Sequence, residues 1–115
     1  MIIVAFCTQT SKFLPRVLCR HFRHCAPIIT ASGAKKPLVM YQFVARHKIA
    51  RLALDVRDMN TLRRHGWEFV CIPNATPQTD NMRGITCVDF TKRVIGIQRA
   101  RIQTPDALFK YIQKI

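Results

Sequence analysis

Residues 84–96 read Gly84-Ile-Thr-Cys-Val-Asp-Phe-Thr-Lys-Arg-Val-Ile-Gly96. Thr86 or Cys87 opens a helix here that runs to Ile95, and Gly96 supplies its left-handed stop. A thiol at the start of this helix lies at the positive end of the helix dipole. That position favours thiolate and lowers the thiol pKa. It also sets the sulfur beside a free backbone N–H, which suits a developing oxyanion. A second reading of Cys87 is a small buried residue on the inner face, spaced with Phe90 and Val94.

Working outward, Asn74–Gly84 is the one long loop, with Pro77, Thr79, Asp80 and Asn81. Before it, Trp67–Ile72 reads as a strand ended by Pro73, and Asp55–His65 as a short helix stopped at Gly66. After it, Thr104-Pro105-Asp106 is a strong helix start: a cap, a proline at the first helical position, and an acid near the positive dipole end. That helix runs to the C-terminus. At the other end of the chain, Ile2–Cys7 reads as a buried strand. Ser11 can cap a helix through Phe13, Leu14, Val17, Leu18 and Phe22, with Pro15 in its first turn and Lys12, Arg16, Arg20 and Arg23 facing out. Cys25–Thr30 reads as a second strand, placed at an edge or a bulge by Pro27. Leu38–Val44 is a third strand and Ile49–Leu54 a fourth. The order predicts an α+β fold: a small, mostly antiparallel sheet with three to four helices packed on it.

The 115 residues form one domain, 1–115, with a modest core. A hydrophobic share of 49% excludes a disordered basic tail. Lys and Arg number 19 against 6 Asp and Glu, a formal net charge of +13. Residues 1–54 hold no carboxylate, the first acid being Asp55. Such a surplus points to an anionic partner: nucleic acid, an anionic lipid surface, an acidic polymer or an acidic protein. No apolar run approaches the roughly 20 residues that span a bilayer, and the short apolar N-terminus lacks the flanks of a secretory signal. The cysteines are Cys7, Cys19, Cys25, Cys71 and Cys87. Their odd number and irregular spacing fit reduced thiols in a cytosolic setting.

Two more residues join Cys87 as candidates. His24 leads into the Cys25–Thr30 strand, where an imidazole can enter a cleft; capping the preceding helix is its other reading. Gln42 is the one strongly polar side chain in Leu38–Val44. Buried, its amide must be satisfied, and its oxygen could accept from an imidazole N–H and so fix the ring's orientation. On an outward face it would be an ordinary surface residue. His21, His47 and His65 read as solvated or capping histidines. Cys19-Arg-His21-Phe-Arg-His24-Cys25 groups four metal-ligand types, but one helical turn does not readily surround an ion, and no CxxC pair accompanies them. The expectation is no metal and no cofactor. The basic residues are spread over both halves without a nucleic-acid motif.

These stretches together resemble the permuted papain-like cysteine hydrolases, the NlpC-type family, and look closest to its small phage-encoded members. Phe22-Arg-His24-Cys-Ala-Pro-Ile-Ile29 resembles the family's aromatic residue, catalytic histidine and apolar strand. Val39-Met-Tyr-Gln-Phe-Val44 is similar to the strand presenting its polar third residue. Ile85–Ile97 looks like its nucleophile helix, and the helix from Thr104 is also similar. The resemblance covers most of the chain in order. It implies a permuted papain-like fold with Cys87 as nucleophile, His24 as general base and Gln42 as orienting residue. The implied function is hydrolysis or acyl transfer on an amide or ester: a peptide, a cell-wall amide or a lipid ester. The alternative is a catalytically inactive basic phage accessory or virion protein that binds nucleic acid or another protein. Either would work in the cytoplasm, meaning the host cytoplasm or the virion if phage-encoded.

Overall fold

A computed structural model of the chain describes residues 1–7, 24–30, 35–45, 48–78, 82 and 84–114. The helix expected from Ser11 to Phe22 lies outside them, as do Cys19, His21 and His47. The described residues form β1 (Ile2–Cys7), β2 (His24–Thr30), β3 (Leu38–Ala45), β4 (Lys48–Leu54), α1 (Val56–Arg64), β5 (Glu68–Ile72), α2 (Cys87–Ile95) and α3 (Pro105–Gln113). The fold is α+β. Its five strands make one antiparallel sheet in the order β4-β3-β2-β1-β5. No helix among the described residues is long and apolar enough to cross a membrane.

Strand alternation sorts the core into two faces. Ile2, Val4 and Phe6 of β1 and Cys25 of β2 pack with Val88 of α2 and with Leu108 and Ile112 of α3. On the same face Tyr41 and Phe43 of β3 meet Phe90 and Val94 of α2. The opposite face puts Ala5, Ala26, Ile28, Met40 and Leu54 against Met59 of α1. So α2 and α3 cover one side of the sheet and α1 the other. β4 is an edge strand with most of its side chains exposed.

Each helix boundary has a local cause. Asp55 caps α1 through a reciprocal box with Asp58, at 2.8 and 3.0 Å, and His65 and Gly66 (φ 93°) end it. Thr86 accepts from the Asp89 N–H at the start of α2, and Gly96 ends that helix at φ 90°. Thr104 caps α3, with Pro105 in its first turn. Lys92 of α2 is nearly buried and donates to the Arg99 carbonyl at 2.9 Å, tying the turn toward α3 back to its helix.

Pro27 corrects the first of two expected placements, an edge or a bulge. β2 lies inside the sheet, not at its edge. Pairing with β1 runs straight through Pro27, which faces Val4. Pairing with β3 spans only Ile28–Thr30, so it stops one residue short of Pro27, which has no N–H to donate. The proline is accommodated by ending one ladder while the other continues. The β2–β3 register thus covers the Thr30 end of β2, and His24 stands at the other end of the strand.

Candidate active site

The three side chains singled out in the sequence meet at the His24 end of β2. Cys87 is the first residue of α2. Its thiol hydrogen-bonds with the side chains of His24, the first residue of β2, and of Cys25, the second. On the other side of the ring, His24 Nε2 lies 2.8 Å from Gln42 Oε1. An amide oxygen can only accept, so Nε2 carries the hydrogen and Nδ1 is left as the ring's proton acceptor. The Gln42 amide nitrogen in turn faces Met40 Sδ at 3.3 Å, which agrees with that amide orientation. Gln42 is half-buried rather than turned to solvent. The Trp67 ring stands edge-on to the imidazole, with centroids 6.1 Å apart at 87°.

The Cys87 thiol is pulled from its usual 9.0 to about 4. The largest cause is the hydrogen bond from the Cys25 side chain, and burial opposes it. The His24 hydrogen bond, the positive charge of its ring and the Cys25 backbone act in the same lowering direction. The start of α2 adds the positive end of its dipole. Cys87 is therefore a thiolate at neutral pH, in contact with an imidazole whose far nitrogen is held. Such a sulfur can attack an electrophilic carbon, and such an imidazole can give and take a proton.

Two residues complete the cluster: Cys25, which sequence reasoning weighed only as a metal-ligand type or a core cysteine, and Thr91, which it passed over. Cys25 Sγ lies 3.6 Å from Thr91 Oγ1, and the Thr91 hydroxyl donates to the Cys87 carbonyl at 2.7 Å. Cys25 and Thr91 are both fully buried. The signal for Cys25 was alternation: following His24 in a strand, it must face the opposite side of the sheet, toward α2. The signal for Thr91 was its place one turn after Cys87, on the same helical face.

His65 sits at the C-terminal cap of α1, as its place before Gly66 implied. Cys7, Cys25, Cys71 and Cys87 are free thiols, of which Cys71 is exposed. Among the described residues no group of three or more His, Cys, Asp or Glu is arranged to hold a metal ion. Compared with known proteins, the chain matches no family model, no curated protein and no solved structure.

Proposed function

We propose that this chain is a cysteine hydrolase or acyltransferase of the permuted papain-like class, with Cys87 as nucleophile, His24 as general base and Gln42 as the residue that orients it. The observation that carries this reading is one continuous contact: Cys87 thiol, His24 imidazole, Gln42 amide. The chain order, histidine strand before cysteine helix, supports the permuted assignment.

The chemistry follows from the atoms. His24 Nδ1 holds the proton that Cys87 has given up, and the thiolate attacks the carbonyl carbon of an amide or ester. The carbonyl electron pair moves onto oxygen. The Cys87 N–H, which at the first position of a helix has no intrahelical acceptor, is the natural donor to that oxyanion. The tetrahedral adduct collapses, and the leaving amine or alkoxide takes the proton from His24. Water then attacks the thioester, passing a proton to His24, and the acid departs as the thiolate re-forms. In acyl transfer another acceptor replaces the water. Peptides, cell-wall amides and lipid esters all present the required carbonyl.

Iodoacetamide labelling at neutral pH with mass mapping tests the pair. The expected result is fast, selective alkylation of Cys87 that is lost in His24→Ala. Equal, slow labelling of all five cysteines overturns the proposal. A second reading, an inactive basic accessory or virion protein that binds nucleic acid or another protein, is favoured by one observation, the +13 charge. It predicts an inert Cys87 and salt-dependent retention on DNA.

A further inference from the structure

We propose that Cys25 and Cys87 form a peroxide-driven disulfide site, with Cys25 as a resolving thiol built against the nucleophile. This rests on the reading of Cys87 as a reactive thiolate and adds to it a covalent modification of the same sulfur.

The packing singles out this pair. Cys87 is half-buried, within reach of a small oxidant, whereas Cys25 is 0% exposed and shielded from reagents in solution. Cys25 nevertheless lies in the core cluster against which Cys87 packs. Thr91 holds them in place. Its oxygen faces Cys25 Sγ at 3.6 Å while its hydroxyl grips the Cys87 carbonyl at 2.7 Å, so the strand thiol is fixed over the first turn of α2. Cys71 is a poor competitor. Cys71 pairs with Ile3 on the β1–β5 register, on the sheet face opposite Cys25, whereas Cys7 pairs with His24 and is the competitor that the test below scores. A disulfide between Cys25 and Cys87 requires the two sulfurs to close to bonding distance across the β2–α2 packing.

The chemistry balances with a hydroperoxide as oxidant. The Cys87 thiolate attacks one peroxide oxygen, the O–O bond breaks, and Cys87 becomes a sulfenic acid. The departing hydroxide takes a proton from the His24 ring and leaves as water. Cys25 sulfur then attacks Cys87 sulfur: the S–S bond forms, the S–O bond breaks, and hydroxide leaves as a second water with the Cys25 proton. Two thiols lose two electrons and one hydrogen peroxide gains them. The nucleophile is masked, and a dithiol reductant releases it. Without Cys25, excess peroxide would carry Cys87 on to sulfinic acid, which dithiols do not reverse.

The test uses the full chain, reduced, desalted and treated with hydrogen peroxide at neutral pH. The intact mass should fall by two hydrogens. Non-reducing digestion should link the peptides that carry Cys25 and Cys87. Iodoacetamide labelling of Cys87 should be lost and then restored by dithiothreitol. In Cys25→Ser, and in Cys25→Ala should the serine variant fail to fold, peroxide should instead add oxygens to Cys87, and labelling should not recover. Oxygen addition at Cys87 in the unaltered chain without a linked peptide overturns the inference, as does a link from Cys87 to Cys7, Cys19 or Cys71. Both outcomes leave the nucleophile reading standing. Slow alkylation of Cys87 in the reduced protein overturns that reading instead, and the linked peptide is scored independently of it.

Discussion

At the scale of the residue, His24 owes its tautomer to Gln42. With Oε1 accepting from Nε2 at 2.8 Å, the bare nitrogen is Nδ1. In Gln42→Leu the Nε2 hydrogen loses its acceptor and the ring can turn or change tautomer. A partly buried polar group deprived of its partner costs about 1–3 kcal/mol, equivalent to about 1–2 pH units in a coupled ionisation. Cys87 is held well below its usual value by Cys25 and by His24. Wild-type alkylation, corrected for reagent, should therefore stay nearly flat from pH 8 to pH 6 and decline only toward the lowered thiol value. In Gln42→Leu the acid limb should move up by about 1 unit, and in His24→Ala further, back toward an ordinary thiol. A wild-type profile that rises through pH 8 to 9 would show an unperturbed thiol and end the triad argument. The sign for stability is the same as for a salt-bridged acid. A lowered folded value makes the thiolate stabilising above the unfolded thiol's value, and that contribution is lost as pH falls through the folded one. Cys87, His24 and Gln42 were legible as candidates because each breaks a local pattern: a thiol at a helix start, an imidazole opening an apolar strand, an amide in an apolar run. Cys25 breaks none. It reads as a small apolar residue in its strand or as one metal-ligand type among four, and the packing of α2 on β2 is what sets it beside Cys87.

At the scale of the element, the start of α2 sets where the Cys87 sulfur stands. Thr86 Oγ1 accepts from the Asp89 N–H at 3.1 Å, and Asp89 Oδ2 accepts from the Ile85 N–H at 2.9 Å and from Arg93 Nε at 3.1 Å. Just before this cage, Gly84 lies against Phe90. A Cβ built on it would come within 2.7 Å of Phe90 Cβ and 2.8 Å of its backbone N. Backbone cannot swing aside as a side-chain tip can, and Phe90 is fully buried against β3. Gly84→Ala should therefore destabilise the fold by about 1–3 kcal/mol, read by urea denaturation, and should slow Cys87 alkylation because the helix start shifts. Thr86→Ala should cost about 1 kcal/mol and leave the core packing intact. An unchanged urea midpoint in Gly84→Ala would contradict the close approach. Caps explain why element boundaries were readable: Asp55, Gly66, Gly96 and Thr104-Pro105 act within one turn of themselves. Strand order was not readable in the same way. The β1–β5 pairing joins residues far apart in the chain, and nothing local in Ile2–Cys7 or Glu68–Ile72 names its partner. Pro27 left edge and bulge open for a related reason: edge placement is only one remedy for a missing N–H, and this sheet, with β2 inside it, does not use it.

At the scale of the whole molecule, the charge must be accounted for. With 19 basic residues against 6 acids, like-charge repulsion opposes folding everywhere on the surface. The described ion pairs are Lys36–Asp58 at 3.0 Å and Arg93–Asp89 at 3.1 Å, both largely solvent-exposed, and exposed pairs contribute about 0–1 kcal/mol each. Salt acts on the two sides of this balance in opposite directions. At about 0.1 M the screening length is about 10 Å, which relieves repulsion within the protein and also weakens its hold on any polyanion. Raising salt from low to moderate should thus raise the melting temperature of the free chain while reducing its retention on immobilised DNA. A melting temperature that falls as salt rises would mean that the few ion pairs outweigh the surplus. The same pair of measurements separates the two functional readings. An enzyme whose positive field stabilises a thiolate and draws an anionic substrate should lose DNA at moderate salt yet keep fast Cys87 alkylation. A polyanion-binding accessory protein should hold DNA at that salt with a steep logarithmic dependence, and its Cys87 should label no faster than the other thiols.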